Sequence, residues 1–242
     1  MHLTPAGVQL LLRAGVELGL NLEPHIPAFS TFFKLLTEAN QTTNLTAIRD
    51  EAGIVLKHFV DSLTCLIHPD LLEGISVIDV GTGAGFPGLP LAIVQPGIRF
   101  DLLDATQKKA NFVARVIRTL GLENARALWG RAEELAQQHV KRETYGAALS
   151  RAVASLATVA ELTLPLVKVG GFVLVQKGVG VERELEGALG ALDKLGGLLE
   201  GVSCLKLPIT GDARTLVVLR KVAPTPRQYP RKPGVPAKNP LS

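Results

Sequence analysis

Cysteine is almost missing from this chain. Cys65 and Cys204 are the only two, they lie far apart, and neither stands in a CxxC spacing. That excludes a disulfide framework and a zinc-finger ligand set, predicts no metal site, and suits the reducing cytoplasm. Long apolar runs are missing too. Glycine, proline or charge interrupts each apolar stretch within about 18 residues, so no membrane-spanning helix is expected. The first 20 residues lack a basic leader and carry Arg13 and Glu17 within an apolar pattern. They predict an amphipathic helix, not a signal peptide. Acidic residues vanish after Asp212. Seven Lys and Arg follow it without a single Asp or Glu, although the whole chain carries only +4. The positive excess is local to the C-terminus, where a polyanion is the natural partner and a solvated tail the plainer alternative.

What remains is an ordinary globular composition, 47% hydrophobic and 20% charged over 242 residues, enough for one α/β domain with an appendage. Residues 1 to about 70 read as helices. Thr4-Pro5 caps the first, Pro27 opens the second, and 50–66 place Ile54, Val55, Phe59, Leu63 and Leu66 at helical spacing. From residue 75 the texture alternates. Strands are expected at 76–81, 99–104, 125–130, 145–150 and 171–178, each followed by a helix: 87–94, 106–120, 132–139, 155–169 and 182–196. Two consecutive strands, 201–209 and 214–222, close the series. This predicts an α/β, Rossmann-like, mostly parallel seven-stranded sheet flanked by helices, with one antiparallel strand near its end and an N-terminal helical extension. Residues 223–242, rich in proline and basic side chains, are expected to form an extended arm.

The stretch "DVGTGAGFPG", residues 79–88, ends the first strand. In a doubly wound sheet the ligand sits at that place, and glycines let it approach the backbone. Read from Gly83, "GAGFPG" matches the dinucleotide fingerprint GxGxxG. The position argues otherwise. The first glycine after the strand is Gly81, which gives D-x-G-x-G-x-G from Asp79 and resembles motif I of S-adenosylmethionine-dependent methyltransferases. Pro87 removes an N–H from the helix start where a pyrophosphate would want one. Asp104, 21 residues after Gly83, suits the ribose hydroxyls of either cofactor, or a helix cap. The terminal hairpin favours the methyltransferase, because dinucleotide enzymes usually continue with a second parallel half.

The acceptor is narrowed by what is absent. After the fourth strand stands "LSRAVAS", not the [ND]-P-P-[YF] motif used on exocyclic amines. Cys65 and Cys204 lie in apolar segments and read as core residues, not as the nucleophile of pyrimidine C5 methylation. A ring nitrogen with a free lone pair, such as guanine N7, needs neither base nor covalent help.

Several segments together resemble one family, the bacterial 16S ribosomal RNA guanine-N7 methyltransferases, also called the glucose-inhibited division protein B family. They are "NLTAIRD" (44–50), "LKHFVDSL" (56–63), "DVGTGAGFPGLPLAI" (79–93), "LLDATQKK" (102–109), "GRAEEL" (130–135), "LSRAVASL" (149–156), "QKG" (176–178) and "YPRKPGVPAKNPL" (229–241). The resemblance implies methyl transfer from S-adenosylmethionine to a guanine N7 in the helix 18 loop of small-subunit rRNA. It implies three parts: a cap at 1–70, a methyltransferase domain at 71–222 and the arm at 223–242. It places cofactor contacts on Gly81, Phe86, Asp104, Ala105, Thr106, Ala132, Glu133 and Arg151, to which the motif adds Asp79 and Gly83. Arg151, Asn44 and His58 form the expected catalytic group. Arg151 is left between cofactor carboxylate and RNA phosphate, and His58 between a site residue and a satisfied structural histidine. RNA contacts are expected from Lys57, Arg131, Lys177, Tyr229, Arg231, Lys232 and Lys238, with Tyr229 stacking on a base or packing on the sheet. The expected partner is 16S rRNA or the small ribosomal subunit, and the expected state a cytoplasmic monomer without metal.

Overall fold

The computed structural model describes residues 2–151 and 154–242. Helices α1 (Pro5–Glu17) and α2 (Ile26–Ala39) lead into a continuous helical segment. It runs through α3 (Glu51–Ile54), a π-helical stretch (Val55–Val60), α4 (Asp61–Leu63) and a 3-10 turn (Thr64–Ile67). Thr4 caps α1: its hydroxyl accepts from the Gly7 N–H, and Pro5 takes the first helical position. The π-helical stretch carries Lys57 and His58. Such widened turns break the helical spacing of side chains and often occur at functional sites.

The sheet alternates with helices: β1 (Ser76–Val80), α5 (Gly88–Val94), β2 (Arg99–Asp104), α6 (Gln107–Leu120), β3 (Ala125–Trp129), α7 (Ala132–Leu135), β4 (Tyr145–Arg151), α8 (Leu156–Thr163), β5 (Val167–Lys177) and α9 (Glu182–Leu195). Then follow β6 (Gly197–Lys206), β7 (Ala213–Lys221) and a short α10 (Val235–Lys238). The strand order is β3-β2-β1-β4-β5-β7-β6. β7 runs antiparallel to both of its neighbours, and the pairs among β1 to β5 are parallel. The order reverses between β1 and β4, so those two strand ends flank the crevice where a ligand belongs.

The central strands are buried on both faces, and successive residues feed two cores. Val77, Leu102, Leu149 and Leu174 pack with the N-terminal helices. Ile78, Leu103, Ala148 and Val173 pack beneath α8 and α9. The helical segment before β1 has no core apart from the first of these. Phe29 and Phe32 from α2 meet Phe59, and Phe32 reaches Phe86 in the glycine loop at 5.3 Å between ring centroids.

Several sequence expectations are corrected. The helix expected over 155–169 ends at Thr163, because Pro165 lacks an N–H and its ring crowds the preceding turn; the chain makes a 3-10 turn and enters β5 at Val167. The helix expected over 132–139 is the four-residue α7. Thr106 stands at the N-cap of α6, but its side chain makes no capping bond. Cys204 is exposed, since β6 is an edge strand with one face in water, whereas Cys65 is buried.

The C-terminal arm is not free. Arg231 forms a multidentate ion pair with Glu161 of α8, whose side chain is 0% exposed. Thr158 Oγ1 donates to the Pro236 carbonyl, Gln137 Nε2 to that of Pro230, and Arg142 to those of Thr225, Pro226 and Tyr229. The charge excess shrinks accordingly. Arg214 pairs with Asp61, Arg220 with Asp70 and Glu200, and Lys221 with Glu143. Arg227, Lys232 and Lys238 are the exposed tail cations with no carboxylate partner among the described residues. Arg231 is thereby spent on an ion pair, and of the two readings left open for Tyr229 the structure shows the packed one. The arginine neutralises Glu161 and the tyrosine packs on the α8 side of the sheet.

Candidate active site

The glycine loop is pinned from below. Gly81 and Thr82 both donate to the Leu103 carbonyl of β2. Asp79 Oδ2 accepts from Thr82 Oγ1 at 2.7 Å and from Gly88 N at 2.9 Å. Burial pushes the Asp79 carboxyl up to about 6, against the pull of those two bonds. The carboxylate is 0% exposed, so the expectation that Asp79 touches the ligand is corrected: it braces the loop. Gly88 packs so tightly that a Cβ there would lie 2.1 Å from Leu102 Cδ2. Gly83 differs. Its φ of +61° requires glycine-like freedom, and a Cβ would meet nothing closer than the Gly81 carbonyl at 4.0 Å. The space above Gly83 is a cradle that a side chain would fill, and its emptiness fits a ligand lying against bare backbone.

Asp104 closes the cradle from β2. Its Oδ2 accepts from Gly83 N at 2.9 Å and its Oδ1 from Thr106 N at 2.7 Å. It ties the first two strand–helix loops together, and each oxygen retains a lone pair for a diol. Ala105 and Thr106 are exposed beside it. Trp129, at the end of β3, is 63% exposed and donates from Nε1 to the Ala105 carbonyl at 3.2 Å. Ala132 and Glu133 are buried. Glu133 Oε1 accepts from Gly234 N at 2.9 Å, so the arm is fastened to the third strand-end loop.

On the β4 side of the crevice, Arg151 organises the site. Its guanidinium lies 5.1 Å from the centre of the Phe86 ring and donates to the Lys57 carbonyl, Asp61 Oδ2 and His58 Nδ1. The His58 ring stacks on Phe86 with centroids 4.5 Å apart and planes 14° from parallel. Arginine only donates, so His58 Nδ1 is the acceptor. The proton of the neutral ring therefore sits on Nε2, 2.6 Å from Thr46 Oγ1. Burial, then the Arg151 charge, holds His58 down to about 4. Its lone pair is committed, which leaves His58 without a free basic nitrogen. Burial raises the Asp61 carboxyl above its ordinary value, against Arg151 and Arg214.

Arg151 opens onto a cleft of about 390 Å³ lined also by Lys57, Asp61, Gln176, Lys177 and Arg214. Lys57 and Arg131 are exposed cations at or beside the strand ends. Lys177 is corrected as an RNA contact, because its ammonium is spent on Glu184 and the Ala154 carbonyl. Asn44 is exposed and makes no side-chain bond among the described residues. Its loop is shaped instead by buried Asn40, which accepts from the N–H groups of Leu45 and Thr46 and donates to the Thr46 carbonyl. Ala152 and Val153, within the 149–156 stretch, lie outside the described residues. Sequence reasoning missed Asn40, Thr46, Gln176 and Arg214. Gln176 stood in the quoted "QKG", and Arg214 was counted only as tail charge. Asp61 stood in the quoted "LKHFVDSL", with no role expected for it.

Among the described residues no cluster of His, Cys, Asp and Glu is arranged to hold a metal ion, and no helix is long and apolar enough to cross a membrane. Residues 25–210 match the sequence model of a family described as rRNA small subunit methyltransferase G. A ribosomal RNA small subunit methyltransferase G of Pelotomaculum thermopropionicum is 49% identical over 93% of this chain and 95% of its own. A protein of the same description from Deinococcus radiodurans is 48% identical over 99% and 94%. In fold, the chain resembles a SAM-dependent methyltransferase from Aquifex aeolicus, with a TM-score of 0.53 at 19% identity over 74% of this chain and 97% of that one. With the glycine cradle, the strand order and these relatives together, the chain belongs to the rRNA small subunit methyltransferase G family, a family of S-adenosylmethionine-dependent methyltransferases.

Proposed function

We propose that this chain, a cytoplasmic monomer requiring no metal, methylates N7 of a guanine in the helix 18 loop of 16S rRNA. When bound, S-adenosylmethionine supplies an electrophilic methyl group. The cradle above Gly83, with Gly81, Phe86, Asp104, Ala105 and Thr106 around it, holds the cofactor. The backbone of Ala132 and Glu133 borders its adenine. One observation carries the reading: Arg151 reaches from the β4 strand end to Phe86 on the cofactor loop while lining the cleft on its other side. A group so placed aligns two partners across the switch point, and alignment is the larger part of catalysing a displacement.

Guanine N7 carries a lone pair and no proton, so the acceptor needs no base. The committed lone pair of His58 supports this. Asn44, on its exposed loop, contacts the target nucleotide. Lys57, Arg131, Lys232 and Lys238 contact phosphates and supply salt-dependent affinity. The paired motifs "GTGAGFPG" and "YPRKPGVPAKNPL" support the choice of N7 and of helix 18.

The test is transfer of labelled methyl from S-adenosylmethionine to unmodified small subunits and, separately, to their deproteinised rRNA. Borohydride–aniline cleavage then maps 7-methylguanine. A single stop in the helix 18 loop is expected. No incorporation into either substrate, with cofactor binding intact by calorimetry, refutes the proposal.

A further inference from the structure

We propose that the cleft beneath Arg151 reads the Watson–Crick edge of the target purine, and that Asp61 Oδ1 and Gln176 Oε1 are the acceptors that make that purine a guanine. The inference rests on the methyl-transfer reading above and assigns the base-selecting residues of that site.

Two side-chain oxygens on the cleft wall are buried without a hydrogen-bond donor, Asp61 Oδ1 and Gln176 Oε1. A buried acceptor left without a donor is destabilising, so both oxygens favour a ligand that brings one. The packing holds both in place. Gln176 lies beside Arg151 in the β4–β5 register. Its Nε2 donates to the Asp61 carbonyl at 2.7 Å and to Thr64 Oγ1 at 3.0 Å. The backbone carbonyl can only accept, so the amide cannot flip, and Oε1 stays on the unpaired side. Asp61 is fixed through Oδ2 by Arg151 at 3.4 Å. Arg214 Nε lies 3.3 Å from Oδ1 but out of line to donate a hydrogen bond.

The two acceptors and the guanidinium of Arg214 ask for two donors and one acceptor. Guanine presents that set along one edge: N1–H, N2–H₂ and O6. Adenine presents a lone pair at N1, which would face the carboxylate, and lacks the 2-amino group. Inosine keeps N1–H and O6 and lacks only N2–H₂. The edge that binds is the one remote from N7, so a base held this way keeps N7 free. Arg214 turns from Oδ1 as the base enters and donates to O6, so Asp61 exchanges a poorly aligned ion pair for N1–H while Gln176 takes N2–H.

The test uses the substrate form that accepts methyl in the mapping experiment, rebuilt with guanosine or inosine at the target position. With the wild-type chain, kcat/KM for guanosine is expected to exceed that for inosine by roughly 10-fold or more, because inosine leaves Gln176 Oε1 unpaired. In Gln176→Leu the ratio falls to near one. In Asp61→Asn, kcat/KM for guanosine falls at least about 10-fold. Wild-type chain that methylates N7 of guanosine and of inosine equally overturns the inference, without touching the methyl-transfer reading and without needing a folded variant. Preserved discrimination in Gln176→Leu overturns it equally. Failure to methylate guanosine at all counts against the function proposed above.

Discussion

Lowering the pH from 7 to 4 puts a proton on His58 and sets that proton against Arg151. The neutral ring accepts from Arg151 at Nδ1 over 3.2 Å. A second ring proton turns this contact into donor facing donor. Burial and the guanidinium hold the group down to about 4, from an ordinary 6.5. The unfolded chain therefore takes the proton first. Stability falls as the pH drops from 6.5 to 4, by about 3 kcal/mol. Asp79 works in the opposite sense. Its folded value is raised to about 6 from 3.8. Its stabilising share is full below 3.8 and is lost as the pH rises through 6, again about 3 kcal/mol. In the wild type the two largely offset each other between pH 4 and 6. His58→Gln removes one of them, so the variant is expected to gain up to about 3 kcal/mol on the wild type as the pH falls from 6.5 to 4. Urea unfolding at half-unit pH steps measures the difference, and the His58 ring resonances report its titration directly. A ring that titrates above 6 in the folded chain, or stability curves of constant separation, refutes the reasoning.

The remaining predictions separate the roles of neighbouring residues. Gly83→Ala fills the cradle and strains a left-handed backbone by about 1–2 kcal/mol. Calorimetry should show cofactor affinity falling far more than thermal stability. Gly88→Ala drives a Cβ to 2.1 Å from Leu102 Cδ2, so its main effect is a loss of stability, of about 3 kcal/mol by denaturant unfolding. Arg231→Met strands the buried Glu161 carboxylate and should cost about 3–5 kcal/mol of stability while leaving the salt dependence of RNA affinity unchanged. Lys238→Gln should do the reverse, lowering the slope of log affinity against log salt by about one with no change in Tm. Trp129 is the sole tryptophan and bonds to the loop at Ala105. Its emission should change as S-adenosylmethionine binds, and an unchanged spectrum at saturation speaks against a cofactor beside that loop.

The sequence alone determined the parts of this protein whose signals are local. Apolar runs punctuated by glycine and proline announced seven strands and the helices between them, because hydrophobic periodicity and turn chemistry act over a few residues. Gly121 ends α6 in the left-handed conformation, as its place after the last apolar turn requires. The glycine loop and Asp104 were legible for the same reason. Pairing was not legible. Nothing within a few residues of Arg231 says that Glu161, 70 positions away, will neutralise it. The seven tail cations therefore read as one basic arm, when most of them hold the fold together. Likewise the sequence left His58 between a site residue and a satisfied structural histidine until Arg151 and Thr46 took its two nitrogens, and Gln176 looked like a strand residue until it met Asp61 across 115 positions. Charge and hydrogen-bonding type are properties of a residue and can be read in order. Whether a charge faces a partner, water or a substrate depends on contacts that close long loops, and only the tertiary structure decides those.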